Sequence, residues 1–131
     1  ESYIPDLKTM KTKTVLTVGV WDLFHQGHLD FLNGIKKKYP GCKLIVGVLS
    51  DRSVKIKKGR NRPIIGEKER LTIVQNIKAV DEAFLCKFFK NKEDSIQYEL
   101  NRLKPDVVEW GGKKFSGWST TRIIGKIKKI S

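Results

Sequence analysis

Short apolar runs alternate along the chain with segments whose apolar residues recur at helical spacing. Residues 14–20, 43–49, 80–85 and 107–110 are almost continuously apolar, which predicts strands covered on both faces. Helical spacing predicts one helix from about His28 to just before Pro40, and two more over residues 67–77 and 92–103. Gly or Pro follows most of these segments, as expected where an element ends.

Strands that alternate with helices predict a parallel sheet, because parallel neighbours need a crossover connection. Right-handed crossovers then give a doubly wound α/β fold of the Rossmann-like kind. In such folds ligands bind at the carboxyl ends of the strands, where the strand order reverses. Residues 1–12 are mixed and polar, so we expect an N-terminal arm followed by one domain over residues 13–131.

The composition is that of a folded chain, with 39% hydrophobic residues, three Trp, six Phe and three Tyr. No apolar run approaches the ~20 residues of a membrane-spanning helix, and the first residues do not resemble a secretory signal. We therefore expect a cytoplasmic protein without a transmembrane segment. Cys42 and Cys86 have no CxxC partner, which predicts buried, reduced thiols.

The chain carries a formal net charge of +13, which favours anionic binding partners. Such a charge attracts nucleic acid, an anionic membrane or a highly charged phosphate substrate, and charge alone does not choose among them. Scattered lysines such as Lys36 and Lys87 are equally well explained as solvated surface.

The junction between the first strand and the first helix reads GVWDLFHQGH and holds both histidines of the chain. His25 and His28 flank Gly27 at a predicted helix N-terminus, where backbone N–H groups and the helix dipole favour phosphate. Gly27 would let a phosphate approach the backbone closely. Asp22 either caps a turn or orients a substrate.

Three further blocks carry groups that suit phosphates. Six cations lie in the eleven residues 52–62, called here the cationic segment; they form either a solvated loop or a collar around anionic substrates. Arg70 opens a predicted helix and is either a surface residue or reaches the site. Ser119, Thr120 and Thr121 offer hydroxyl groups and a helix cap.

In this order, the blocks resemble the cytidylyltransferase family of the HxGH nucleotidyltransferase superfamily. Its motif G-x-[FYW]-D-x-x-H-x-G-H joins a strand to a helix, as here. The resemblance covers residues 13–131. Within the family, the chain is similar to glycerol-3-phosphate, phosphocholine and phosphoethanolamine cytidylyltransferases. It implies in-line attack by an acceptor phosphate oxygen on the α-phosphate of a nucleoside triphosphate, with release of pyrophosphate. Mg²⁺ would accompany the nucleotide, and residues 78–82 resemble a segment often found at a homodimer interface.

The resemblance also implies roles for single residues, without any metal ligand from the protein. The implied catalytic residues are His25, His28 and Lys58. The implied nucleotide-binding residues are Gly19, Val20, Trp21, Asp22, Gly27, Arg70, Gly111, Gly112, Ser119, Thr120 and Thr121. The implied acceptor-binding residues are Asp22, Lys55, Lys58 and Lys114.

The chain departs from the family pattern at two places, which limits the residue roles that the resemblance implies. Lys114 stands where the family has an Arg, and a Lys does not grip phosphate bidentately. The family also has a helix and a strand where this chain passes almost directly from Gly112 to Ser119. We expect that residues are missing from the sequence there, since the sheet would otherwise lose a strand beside its site.

The resemblance implies CTP as the nucleotide and a phosphorylated alcohol as the acceptor, such as a choline, ethanolamine, glycerol, polyol or sugar phosphate. This would place the protein in the synthesis of phospholipid or cell-envelope precursors. ATP is the alternative, because residues 55–63 also resemble heptose-phosphate adenylyltransferases and archaeal flavin-forming enzymes. Two other classes stay open, although we expect no nucleic-acid partner: a nucleic-acid-binding module, and a regulatory relative that binds nucleotide without turnover.

Overall fold

A computed structural model describes residues 12–111, so most of the predicted N-terminal arm and the segment after Gly111 lie outside the described part. The elements in chain order are β1 (Thr14–Gly19), α1 (Gln26–Lys38), β2 (Lys43–Val48), α2 (Asp51–Lys58), α3 (Glu67–Gln75), β3 (Glu82–Leu85), α4 (Lys92–Leu103) and β4 (Val107–Val108).

The four described strands form one parallel sheet in the order β3-β2-β1-β4. The chain moves outward from β1 to β2 and β3, and then returns to place β4 on the other side of β1. The strand order therefore reverses between β1 and β4, which is where a doubly wound sheet binds ligands. The predicted fold class is confirmed.

One face of the sheet carries the main hydrophobic core. Apolar residues of α1 recur at helical spacing and lie against β-branched and Leu residues of β1 and β2, with Val74 of α3 completing the layer. The buried members are Val15, Trp21, Phe31, Leu32, Ile35, Cys42, Leu44, Val46, Val48, Val74 and Ala79. This layer anchors the start of α1 to the end of β1.

The opposite face is covered by α4. Ile96 and Leu100 of this helix line a small cavity together with Leu16, Val18 and Val108 of the sheet. Glu99 is buried there and accepts hydrogen bonds from Arg102 at 3.0 and 2.7 Å. Helices thus cover both faces, as the continuously apolar strands predict.

Apart from small shifts at the ends of elements such as α1, α3 and β3, the elements differ from the predicted ones in β4 and α2. β4 forms ladder pairs only at Val107 and Val108, although the apolar run continues to Trp110. α2 is a helix that the apolar pattern does not predict, because Val54 is its one buried residue. Cys42 and Cys86 are both free and buried, as expected.

Candidate active site

The turn between β1 and α1 is held by Trp21. Trp21 and Leu23 have positive φ angles of 58° and 48°, which few non-glycine residues adopt. The Trp21 indole lies against Gly19, where a Cβ would be 2.9 Å from Cε2, and its Nε1 donates to the Gly47 carbonyl at 3.0 Å. These contacts fix the shape of the turn, and the nucleotide-binding role of Gly19 and Trp21 stays a prediction.

The two histidines cap α1. His25 is the N-cap residue, and its Nδ1 accepts from the Gly27 amide at 3.0 Å. Nδ1 of His28 accepts from the His25 amide at 3.1 Å, which completes a capping box. The two rings are stacked with their centroids 3.9 Å apart. The helix start therefore dictates where both imidazoles lie.

The capping box also fixes which ring nitrogen carries the proton. Because each Nδ1 accepts an amide hydrogen, the proton of a neutral imidazole lies on Nε2. Both rings consequently present an Nε2–H donor. His25 Nε2 is a buried atom without a hydrogen-bond partner within residues 12–111.

Burial keeps both imidazoles neutral near pH 7. Desolvation lowers the pKa of His25 below its ordinary value. The pKa of His28 falls to about 4, mainly through desolvation and secondarily through His25, while the Asp22 carboxylate opposes the shift. The rings of Trp21 and Phe24 lie 5.5 and 5.2 Å from that of His28 and account for its burial.

Asp22 joins the histidine turn to the loop before α3. Its carboxylate is 1% exposed and accepts from the amides of Ile64 and Ile65 at 2.8 and 2.9 Å. Arg62 Nε lies 3.4 Å from the same carboxylate. These contacts support the structural alternative for Asp22, in which the side chain shapes the site without touching a substrate.

Arg70 is fully buried in the first turn of α3. Its guanidinium donates to the carbonyls of Ile65, Val20 and Leu49 at 2.8, 2.7 and 2.8 Å, and to the Asp51 carboxylate at 2.8 Å. Of the two alternatives drawn from the sequence, the surface position for Arg70 is wrong, because the side chain is fully buried. Its role in nucleotide binding stays a prediction.

The cationic segment comprises α2 and the residues just after it. The amide of Asp51 donates to Glu67 Oε1 at 2.8 Å, which fixes the start of α2, and the Ser50 side chain caps the helix. Lys55 and Lys58 lie on its exposed side. The pKa of Lys58 is lowered, first by desolvation and then by the neighbouring charges of Arg62 and Lys57, as expected where cations are crowded.

The ends of β1 and β2 meet at the same edge of the sheet, because the strands are adjacent and parallel. The structure therefore brings the histidine pair, Asp22 and the cationic segment to one edge. Gly111, at the end of the described chain, follows β4 on the other side of β1. Gly112, Lys114, Ser119, Thr120 and Thr121 lie outside the described residues.

Two residues of the site were missed by sequence reasoning. Asp51 and Glu67 tie α2 to α3 and complete the surroundings of Arg70. A local signal for Asp51 existed, since Ser-Asp after a strand is typical of a helix start. Residues 12–111 contain no cluster of three or more His, Cys, Asp or Glu side chains that could hold a metal ion, and no helix among them is long and apolar enough to cross a membrane.

A doubly wound sheet with two capping histidines after its first strand, at the start of the first helix, defines the HxGH nucleotidyltransferase superfamily. The sequence model of the cytidylyltransferase-like family matches residues 16–129, and the chain belongs to this family.

Relatives agree with this placement. The bifunctional protein HldE of Helicobacter acinonychis (strain Sheeba) is 35% identical over 98% of this chain and 30% of the relative. The FAD synthase of Methanothermobacter marburgensis is 38% identical over 79% of this chain and 61% of the relative. A solved structure, the lipopolysaccharide core biosynthesis protein from Thermoplasma volcanium GSS1, superposes with a TM-score of 0.64 at 29% identity, covering 92% of this chain and 89% of that one.

The chain is shorter than its curated relatives. It spans 30% of the HldE protein and 61% of the FAD synthase. The alignment with HldE runs over 148 positions although the chain has 131 residues, so HldE holds at least 17 residues without a counterpart here.

Proposed function

We propose that this protein is a nucleotidyltransferase that transfers AMP from ATP to a phosphorylated acceptor and releases pyrophosphate. The observation that carries the proposal is the capping box of α1. It holds two neutral imidazoles side by side, each with an Nε2–H donor, at a helix N-terminus beside the strand-order reversal. Hydrogen-bond donors held in place before the substrate arrives stabilise charge that develops on phosphate oxygens.

ATP is favoured over CTP by the relatives. FAD consists of FMN joined to AMP, so an FAD synthase works with an adenine nucleotide, and 105 aligned positions of this chain are 38% identical to such a protein. None of the relatives compared above carries a name that specifies cytidine. The preference for CTP drawn from the motifs is therefore replaced by the ATP alternative.

The acceptor is proposed to be a sugar phosphate. A solved neighbour that covers most of this chain is a lipopolysaccharide core biosynthesis protein, and lipopolysaccharide cores are built from sugars. FMN is the second candidate, on the strength of the FAD synthase relative. Both acceptors carry a phosphate monoester, which the cationic segment suits.

In the proposed reaction an oxygen of the acceptor phosphate attacks the α-phosphorus, and the bond from that phosphorus to the bridging oxygen of pyrophosphate breaks. His25 and His28 donate hydrogen bonds from Nε2 to the phosphate oxygens as charge shifts toward the leaving group. Lys58 offsets the repulsion between the two anionic substrates, so that they approach in line. No covalent intermediate with the protein is needed.

Mg²⁺ is proposed to arrive bound to the triphosphate. The buried carboxylate beside the histidines, Asp22, already accepts two backbone amides, so the protein offers it poorly as a metal ligand. The backbone amide of Gly27 is likewise occupied by His25, so this amide is not available to a phosphate. A cytoplasmic location suits an enzyme that consumes a nucleoside triphosphate, and a homodimer remains a prediction from the resemblance.

The test compares variants that keep the helix cap but lose the imidazole. Asn is a good N-cap residue and Gln suits the third helical position of a capping box, so His25→Asn and His28→Gln preserve the cap geometry. Each variant should lose at least about a hundredfold in kcat, the size of effect seen when one stabilising donor is removed. Pyrophosphate release is measured with ATP and CTP against a panel of sugar phosphates, FMN and phosphorylated alcohols.

Unfolding by urea, followed in parallel, shows whether the variants are folded. Folded variants with wild-type turnover would contradict the role of the imidazoles. Turnover with CTP and a phosphorylated alcohol, and none with ATP, would restore the original nucleotide assignment and reject the present one. Gln97→Asn, an exposed position on α4, serves as the control substitution.

A further inference from the structure

Three separate segments of the candidate site converge on one buried guanidinium. Arg70 contacts the carbonyl of Val20 after β1, the carbonyl of Leu49 after β2, and the carbonyl of Ile65 in the loop before α3. A guanidinium has five N–H donors in a fixed plane, and four of these are used here. A Lys side chain, with one nitrogen, cannot reach all four acceptors.

The fourth contact extends this network to the cationic segment. Asp51, which accepts from Arg70, is the first residue of α2, and its own amide is held by Glu67. Lys55 and Lys58 lie on the same short helix. The direction of α2, and with it the position of these lysines, therefore depends on Arg70.

Ile65 is held from both sides. Its amide donates to the Asp22 carboxylate at 2.9 Å, and its carbonyl accepts from Arg70 at 2.8 Å. The loop between the cationic segment and α3 is consequently bound through the Ile65 amide to Asp22, in the turn that carries His25, and through the Ile65 carbonyl to Arg70 of α3. Asp22 and Arg70 do not need a direct contact to act together, because both bind the backbone of this one residue.

We propose that Arg70 is a positioning residue for acceptor binding, which fixes the cationic segment relative to the histidine turn and does not touch the nucleotide. The proposal rests on the proposed function only for its kinetic part. Its structural part, that Arg70 holds the loop at Ile64 and Ile65, stands independently of any activity.

The experiment uses Arg70→Lys and a matched control, Arg102→Lys, in which the arginine pairs with Glu99 on α4 away from the site. Hydrogen exchange of peptides over residues 60–66 is measured without substrates. Loss of one hydrogen bond to a charged group is worth about a factor of ten, so exchange there should accelerate about tenfold in Arg70→Lys and stay unchanged in the control. In the kinetic assay the acceptor KM should rise about tenfold while the ATP KM changes less than threefold.

Asp51→Ala provides a second variant in case Arg70→Lys does not fold. The Asp51 side chain is 36% exposed, so its truncation opens no core cavity, yet it removes one of the four acceptors of Arg70. It should shift hydrogen exchange and acceptor KM in the same direction by a smaller factor. Unchanged exchange over residues 60–66 in both variants overturns the proposal, and so does an ATP KM that rises while the acceptor KM stays constant. If no acceptor is turned over, faster exchange still supports the structural part, and only the proposed function fails.

Discussion

Replacing His28 by Gln should make the stability of the fold less sensitive to acid. In the wild type, burial between Trp21, Phe24 and His25 holds the pKa of His28 at about 4, against an ordinary value of 6.5. Gln accepts the same amide hydrogen at this helix position but does not titrate. The comparison therefore isolates the proton of a single side chain.

The sign follows from which state binds the proton. Above pH 6.5 neither the folded nor the unfolded chain protonates this imidazole, so the full stability is present. As the pH falls from 6.5 toward 4, the unfolded chain gains a proton that the folded chain does not, and stability is lost. Since one pKa unit corresponds to about 1.4 kcal/mol, the shift sets an upper bound of about 3 kcal/mol, which partial exposure of the ring reduces to about 1–2 kcal/mol.

Urea unfolding curves at about pH 7.5 and 4.5 provide the measurement. Acid affects the carboxylates equally in both proteins, so their contribution cancels in the difference. Between the two pH values the wild type should lose about 1–2 kcal/mol more than His28→Gln. Equal losses would refute the reasoning, because they would mean that the folded chain protonates His28 as readily as the unfolded one.

The other predictions concern single contacts. Lys58→Ala should raise the acceptor KM and lower kcat by about tenfold or more, and added salt should not reproduce this effect. Lys68→Ala, at an exposed position of α3, should be nearly neutral. Equal losses in the two variants that added salt reproduces would contradict a short contact between Lys58 and phosphate. Gly47→Ala should cost about 1–3 kcal/mol in a urea titration, since the new Cβ would lie 2.8 Å from Cys86 Sγ. Thr17→Val should leave stability unchanged or raise it by up to about 1 kcal/mol, because the Thr17 hydroxyl is buried without a partner among residues 12–111.

The parts of the fold that the sequence predicts are those with a local pattern. β1 and β2 are continuous apolar runs, and α1 and α4 combine helical spacing with clear stop signals. α2 escapes prediction because one buried residue, Val54, cannot produce a periodic pattern in eight positions. β4 is shorter than its apolar run because only two of its residues pair with β1.

The site shows the same division between local and distant causes. The histidines lie where the motif predicts, since a capping box depends on residues only three positions apart. Arg70 turns inward because of partners 19, 21 and 50 residues away in sequence, namely Asp51, Leu49 and Val20. No residue close to Arg70 in the sequence indicates these acceptors. The burial of Arg70 therefore follows only from the tertiary structure, in which β1 and β2 lie side by side.

His25 and His28 cap α1 and also carry the proposed role in catalysis, which affects how changes at these two positions during evolution are interpreted. Because His25 and His28 begin α1, selection for a stable fold restricts both positions to residues that can cap a helix, such as Asn and Gln, even after turnover has been lost. Replacement of either histidine by another capping residue in a distant homologue would therefore leave the fold intact and indicate a loss of catalysis. The exposed lysines of α2 contribute little to folding, so their decay would be the earlier sign that a lineage has abandoned catalysis.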